Sequence, residues 1–163
     1  MVGDETAITD VLKKCGFPIE IGKDSISIAP NPLAKGFDLT TLCYPGFPTD
    51  MQAQFCALAC AISDVSTITE TIFPQRFMHI AEMKRMGANI DLQSATARIR
   101  GGQRIKGAPV MASDLRASAA LVLAGLIAEG RTDVNRLYHI DRGYEHLDDK
   151  LAGLGAQLER VKE

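Results

Sequence analysis

The 163-residue sequence contains no tryptophan, and aromatic residues make up only 6% of it. Its formal net charge is −2, and its basic residues form no continuous run. Nucleic-acid binding relies on basic surfaces and on aromatic side chains that stack against bases. The composition therefore argues against nucleic acid as a partner.

The sequence also lacks a long hydrophobic run. The longest, AALVLAGLIA at positions 119–128, is well short of the ~20 residues that a membrane-spanning helix requires. The N-terminus does not show the pattern of a signal peptide. We expect a soluble, cytoplasmic protein with no membrane partner. Its 46% of hydrophobic residues is enough for one domain with a good core or for two small ones.

Residues that commonly bind metals are few. Of the four cysteines, Cys56 and Cys60 lie one helical turn apart, but apolar residues surround them and neither a second pair nor a nearby histidine completes a metal site. We expect small buried thiols, with neither a metal nor a cofactor. Cys43 could be exposed, but its position alone does not indicate a reactive thiol.

The three histidines do not suggest catalysis. His79 and His139 lie beside apolar residues, which favours half-buried side chains with satisfied hydrogen bonds. His146 is expected to be solvated.

Three segments of the sequence share one pattern. Each is a helical stretch that ends at a glycine and continues at once as an extended stretch: ITDVLKKCGFPIEI, IAEMKRMGANIDL and DDKLAGLGAQLERV. Gly16, Gly87 and Gly155 are 71 and 68 residues apart, and each suits a helix C-cap in the left-handed conformation. The spacing predicts a repeated structural unit.

Between these glycines the predicted order of elements is βαβαββ. Hydrophobic periodicity predicts a strand from Phe37, a helix after Asp50, a strand in STITETIF, a helix and a hairpin. From Pro109 the same order returns and ends in one last strand. We expect an α/β fold in which residues 1–36 are the tail of one unit, 37–108 a complete unit, and 109–163 a unit without its final strand.

Such units share one core, so an incomplete first and last unit makes the chain look like part of something longer. The missing final strand of the last unit also predicts an unpaired strand edge, through which the chain could self-associate.

Two of the predicted helices begin with a hydroxyl residue followed by aspartate. In FPTDMQAQF these are Thr49 and Asp50, and in MASDLRASAALVLAG they are Ser113 and Asp114. One interpretation of the first is a capping box, with Thr49 as the N-cap and Gln52 three residues later. The other is that Asp50 is held at a substrate site where a helix start meets a loop.

Arg116 occupies the position in the second helix that corresponds to Gln52 in the first. A cation in the first turn opposes the helix dipole and costs ~0.3–1 kcal/mol if exposed. It indicates either a bound anion, which helix N-termini favour, or a surface arginine paired with Asp114 or another carboxylate.

Five longer segments carry a resemblance to a known family: YPGFPTDMQAQF, ITETIFPQRFMH, RMGA, MASDLRASAALVLAGLIAEG and YHIDRGYEHLDDKLAGLGAQLERVK. Together they resemble the UDP-N-acetylglucosamine 1-carboxyvinyltransferases, the enolpyruvyl transferases of peptidoglycan synthesis. The related shikimate-pathway enzyme typically has a KESDR-type segment, which this sequence lacks. Pro74 stands where the family usually has an acidic residue, and His146 stands where the family often has an arginine.

The resemblance implies a two-domain enzyme, with three βαβαββ units per domain around a pseudo-threefold axis and an active site in the cleft. Such enzymes transfer the enolpyruvyl group of phosphoenolpyruvate to the 3-hydroxyl of UDP-N-acetylglucosamine. Only the C-terminal portion is matched here. The loop with the reactive cysteine, a lysine that helps to hold phosphoenolpyruvate and the N-terminal segment of this domain have no match. We expect an inactive isolated chain whose partner is the missing N-terminal portion.

The resemblance also assigns candidate residues. Asp50 matches the aspartate at the reacting hydroxyl, and Arg142 the arginine expected on phosphoenolpyruvate; both are candidate catalytic residues and contact substrate. The other candidates for substrate binding are Ile72, Phe73, Arg76, Asp114 and Arg116. Arg76 and Asp114 could instead only brace their neighbours.

An alternative function belongs to a different class. Because the cysteine loop is absent, the chain could be a non-catalytic anion-binding or interaction module derived from a degenerate transferase domain.

Overall fold

A computed structural model describes residues 4–161. The helices are α1 (Asp4–Lys14), α2 (Gln52–Ala61), α3 (Met78–Arg85), α4 (Leu115–Ile127) and α5 (Leu147–Gly153). The strands are β1 (Ile19–Ile21), β2 (Ile26–Ile28), β3 (Asp38–Thr40), β4 (Val65–Thr69), β5 (Asn89–Gln93), β6 (Thr96–Arg100), β7 (Pro109–Met111) and β8 (Asp133–Asn135). Among these residues, no helix has the length and hydropathy to cross a membrane.

The strands form three sheets. β1 and β2 make an antiparallel hairpin, β7 and β8 a parallel pair, and the largest sheet has the order β3-β4-β6-β5. In the largest sheet β3 runs parallel to β4, and the other pairs are antiparallel. From β3 to β6 the elements follow one another as βαβαββ, so the predicted fold class is confirmed. The proposed unit boundaries stay a prediction.

The core surrounds α2, which packs against β4 and β6 of the largest sheet and against α4. β6 shows the period of two that a half-buried strand requires: Ala97 and Ile99 are fully buried, and Arg98 and Arg100 face solvent. α2 is buried on nearly all sides, because small residues such as Ala53 and Ala57 let its neighbours approach closely. α2 therefore has a fixed position, and so does the loop that precedes it.

The three glycines predicted to end helices have one and the same geometry. Gly16, Gly87 and Gly155 have φ values of 94°, 94° and 93°, a region that residues with a Cβ rarely adopt. After Gly87, the N–H of Ala88 donates to the carbonyl oxygen of Met83 at 3.0 Å, which is the bond of a Schellman motif. The C-cap prediction is confirmed at all three positions.

The strand predicted directly after Gly155 is wrong, because residues 156–161 form no strand. A strand requires an edge to pair with, and this segment is held by ion pairs instead. Arg160 lies 2.7 Å from Asp141 and 3.2 Å from Asp148.

The hairpin of β1 and β2 exposes apolar side chains. Ile21, Ile26 and Ile28 are 53%, 43% and 55% exposed, although the register places them on one face as their alternation predicts. Self-association through an unpaired strand edge stays a prediction.

Candidate active site

Asp50 lies in a 3-10 turn, Thr49–Met51, directly before α2. Its Oδ1 accepts hydrogen bonds from Arg76 Nη1 at 3.2 Å and from Arg116 Nε at 2.5 Å. The side chain of Asp50 is 62% exposed, whereas those of Arg76 and Arg116 are 23% and 30% exposed. Among the described residues Oδ2 has no hydrogen-bond partner, so one oxygen is fixed and the other is open to a ligand.

The predicted capping box is wrong. The N-cap of α2 is Met51, and no side chain caps this helix start. The Thr49 hydroxyl donates instead to Glu70 Oε2 at 2.8 Å, and the Gln52 side chain is fully buried. The hydroxyl proton is directed to a buried carboxylate, and the hydroxyl oxygen accepts from Arg76 Nη1 at 3.2 Å instead of from an N–H of the first helical turn.

The start of α4 is built differently. Asp114 is the N-cap, and its Oδ1 accepts from the N–H of Arg116 at 2.9 Å and of Ala117 at 3.0 Å. Of the two interpretations of Arg116, the structure shows the pairing with a carboxylate, and that carboxylate is Asp50. Two similar sequences thus have different roles: Asp114 braces a helix, and Asp50 does not.

The cap gives a prediction for stability. Asp114→Ala should lower the free energy of unfolding by about 1 kcal/mol, because two N–H groups lose their acceptor. Asp114→Asn should change it by much less, since asparagine caps about as well as aspartate. Urea denaturation of the two variants and the unmodified chain measures this; equal midpoints for Asp114→Ala and the unmodified chain would contradict the assignment.

The ion pair sets the charge of Asp50. The hydrogen bond from Arg116 lowers the pKa of its carboxyl against the opposing effect of burial, and the charges of Arg116 and Arg76 lower it further. The same hydrogen bond raises the pKa of Arg116. Asp50 is therefore ionised at neutral pH and accepts hydrogen bonds readily, but it has a low affinity for a proton.

The candidates Ile72 and Phe73 lie in the loop that follows β4. The N–H groups of both donate to Glu70 Oε1, at 2.9 Å and 3.0 Å. The Arg76 guanidinium carbon lies 3.9 Å from the centroid of the Phe73 ring, within the range of a cation–π contact. Because the N–H of Ile72 is already bonded, its backbone would contact a ligand through the carbonyl oxygen.

The sequence reasoning missed Glu70. This residue is 1% exposed, and its carboxylate accepts four hydrogen bonds, from Thr41, Thr49, Ile72 and Phe73. Burial alone would raise the pKa of Glu70, but these donors outweigh it and the pKa is lowered. The available signal was a glutamate inside an apolar β pattern, where a buried charge requires partners.

Arg142 is exposed, and the two residues that follow it are anchored. The Tyr144 hydroxyl accepts from Gln54 Nε2 at 2.8 Å, and a Cβ on Gly143 would lie only 2.6 Å from Leu115 Cδ2, at the start of α4. Arg142 lines an open cavity of about 610 Å³. Within residues 4–161 it has no hydrogen bond or ion pair, so it does not join the Asp50 cluster directly.

The structure thus brings the predicted residues together in part. Asp50, Arg76 and Arg116 form one hydrogen-bonded cluster, here named the carboxylate clamp. Phe73 contacts it through Arg76. Ile72 adjoins it along the chain, Asp114 supports the helix that carries Arg116, and Arg142 lies on the neighbouring loop.

No metal centre is formed by the part of the chain that the structure describes, since no three histidine, cysteine or acidic side chains are grouped to hold one. Cys56 and Cys60 are buried as predicted, and burial raises the pKa of Cys60 to about 11. Cys43 is exposed.

His79 differs from its prediction. It is only 2% exposed, and its Nε2 has no hydrogen-bond partner among the described residues. Burial lowers its pKa to about 4, although the charge of Asp114 acts in the opposite direction. His139 is half-buried, and His146 is exposed beside Asp149, as expected.

Comparison with known proteins identifies relatives across almost the whole chain. The sequence model of EPSP synthase (3-phosphoshikimate 1-carboxyvinyltransferase) matches residues 1–151. A UDP-N-acetylglucosamine 1-carboxyvinyltransferase of Methylacidiphilum infernorum is 56% identical over 155 residues, which are 95% of this chain and 37% of the relative. One of Halorhodospira halophila is 55% identical over 150 residues, covering 92% of this chain and 36% of the relative. The chain thus spans little more than a third of these proteins.

Solved structures agree with the sequence comparison. The enolpyruvyl transferase NikO from Streptomyces tendae superposes with a TM-score of 0.85 at 27% identity, over 93% of this chain and 35% of NikO. An EPSP synthase from Acinetobacter baumannii has a TM-score of 0.69 over 96% of this chain and 37% of its own; at 22% identity it shows the fold alone. The resemblance noted in the sequence is confirmed, and the chain belongs to the EPSP synthase family.

Proposed function

We propose that this chain is the C-terminal portion of a transferase that moves the enolpyruvyl group of phosphoenolpyruvate to the 3-hydroxyl of UDP-N-acetylglucosamine, a reaction of peptidoglycan synthesis. The observation that carries the proposal is the carboxylate clamp. Asp50 and Arg116 are 66 residues apart, yet they meet at an exposed position, in a chain that is 56% identical over 155 residues to a named transferase.

Asp50 is the proposed acceptor of the proton. When the sugar hydroxyl attacks, its O–H bond breaks as the new C–O bond forms, and the proton requires a base within hydrogen-bond reach. The free Oδ2 of Asp50 provides that base, while Arg76 and Arg116 hold Oδ1. Their charges keep Asp50 ionised before the reaction, so it is in the form that can accept a proton, and they lower its strength as a base.

Arginines provide the proposed anion site. Arg142 has no ionic partner among the described residues, and the Nη atoms of Arg116 also carry no hydrogen bond there. Phosphoenolpyruvate is highly anionic, and guanidinium groups bind phosphate and carboxylate with paired donors. Because the residues after Arg142 and the helix of Arg116 are anchored, the backbone positions that carry these donors are set in advance of the reaction.

The loop after β4 is the proposed contact for the nucleotide-sugar. Phe73 is 49% exposed, and one face of its ring lies against Arg76. The carbonyl oxygen of Ile72 is the backbone acceptor that remains. The rest of the substrate site would come from the N-terminal portion of the enzyme, which is the proposed partner of this chain.

A chimeric enzyme tests the proposal. Residues 4–161 would replace the matching region of the Methylacidiphilum infernorum transferase, whose identity of 56% favours correct folding. We expect phosphate release from phosphoenolpyruvate that depends on UDP-N-acetylglucosamine, whereas shikimate 3-phosphate as the acceptor and the isolated chain should both give none. A folded chimera without turnover would contradict the proposal and favour a non-catalytic anion-binding or interaction module.

A further inference from the structure

We propose that Glu70 is a positioning residue, which fixes the carboxylate clamp and the Ile72–Phe73 loop in a single geometry and acts on the clamp through Thr49. This inference rests on the proposed function. Glu70 is buried, so its carboxylate contacts no solvent. For the same reason it does not contact a substrate.

The hydrogen bonds of Glu70 join three separate parts of the chain. Its Oε1 accepts from the Thr41 hydroxyl at 2.7 Å, beyond the end of β3, and from the N–H groups of Ile72 and Phe73. Its Oε2 accepts from the Thr49 hydroxyl at 2.8 Å, in the turn before α2. An unpaired buried carboxylate is costly, so the folded chain must keep these donors in place.

Thr49 transmits this constraint to the clamp. Its hydroxyl has one proton, which it donates to Glu70, so its lone pairs remain for the Arg76 Nη1 atom at 3.2 Å. The same Nη1 atom lies 3.2 Å from Asp50 Oδ1. Glu70 therefore sets the direction of the Thr49 hydroxyl, and the hydroxyl sets the position of Arg76 beside Asp50.

The charge of Glu70 decides this direction. An ionised carboxylate only accepts hydrogen bonds, and the lowered pKa agrees with ionisation at neutral pH. In Glu70→Gln an amide can occupy the place of Oε2, and it would donate to Thr49 instead of accepting. The Thr49 hydroxyl would then have no acceptor for its proton at Oε2, while the shape of the buried side chain at position 70 is preserved.

Kinetics of the chimeric enzyme test the inference. Glu70→Gln and Thr49→Val should each lower the turnover number roughly 10- to 100-fold, because misplacement of a reacting group by about 1 Å has an effect of this size. The double variant should be no slower than the slower single variant, because both changes break the same connection. Glu82→Gln is the matched control. The Glu82 carboxylate accepts a hydrogen bond from the N–H of Met111 at 3.0 Å, away from the clamp. This substitution should leave the turnover number unchanged.

Losses in turnover that multiply in the double variant, or normal turnover in Glu70→Gln, would overturn the inference.

A second measurement on the unmodified chain does not depend on activity. Amide hydrogen exchange should show protected N–H groups at Ile72 and Phe73, and Glu70→Ala should abolish that protection while Ile68 in β4 stays protected. Unchanged protection would also overturn the inference. If the chimera without substitutions is inactive, the proposed function fails, and the exchange experiment still decides whether Glu70 positions the loop.

Discussion

Asp50→Asn is expected to lower the turnover number of the chimeric enzyme at least ~10²-fold, the effect of removing a general base. An asparagine can still accept hydrogen bonds from Arg76 and Arg116 through its Oδ1. Its Nδ2 would occupy the place of the open Oδ2 and cannot accept a proton. The substitution therefore keeps the hydrogen bonds of the clamp and removes the charge of Asp50 together with the proposed base. Steady-state phosphate release at saturating substrates measures it.

Stability should change little in this variant, because exposed ion pairs typically contribute only about 0–1 kcal/mol and Asp50 caps no helix. Asp133→Asn is the matched control, since Asp133 is an exposed aspartate that accepts from Arg131 Nε at 2.7 Å. It should leave turnover unchanged. Near-normal turnover in Asp50→Asn would show that the proton has another acceptor.

The stability of the chain is expected to fall as the pH is lowered from about 6.5 to about 4, because of His79. In the unfolded chain this histidine takes up a proton near its ordinary pKa of 6.5, whereas in the folded chain burial keeps it neutral down to about 4. The unfolded state thus binds more protons throughout this range, and the loss in free energy of unfolding amounts to about 3 kcal/mol. Urea denaturation at a series of pH values measures the loss.

Substitution separates His79 from other acid-sensitive groups. His79→Phe and His79→Gln should flatten the stability profile between pH 6.5 and 4, because neither side chain titrates there. His146→Gln should keep the slope, since His146 is exposed. Carboxyl groups with lowered pKa values, such as Asp50 and Glu70, act mainly near and below their ordinary pKa values of 3.8 and 4.5, at the acid end of this range. A slope that survives in both His79 variants would contradict the assignment.

Local signals in the sequence determined much of the fold. The glycines at 16, 87 and 155 ended helices because only residues within one turn decide that geometry. The alternation in β5 and β6 predicted a hairpin, because successive side chains of a strand point to opposite faces. The family resemblance indicated Asp50, Arg76 and Arg116 as candidates for one site, and the structure places the three in one cluster.

Only the tertiary structure decided what each polar group bonds to. Thr49 has the sequence context of a cap, yet it donates to Glu70, which is 21 residues away; Arg116 meets Asp50 across 66 residues. His79 is buried with no partner for Nε2 among the described residues, and the segment after Gly155 forms ion pairs in place of a strand. The physical reason is the same for Thr49, Arg116 and Arg160, each of which gains a carboxylate as its partner. A hydrogen-bonding group takes the strongest partner within about 3 Å, and folding, not distance along the chain, brings that partner there.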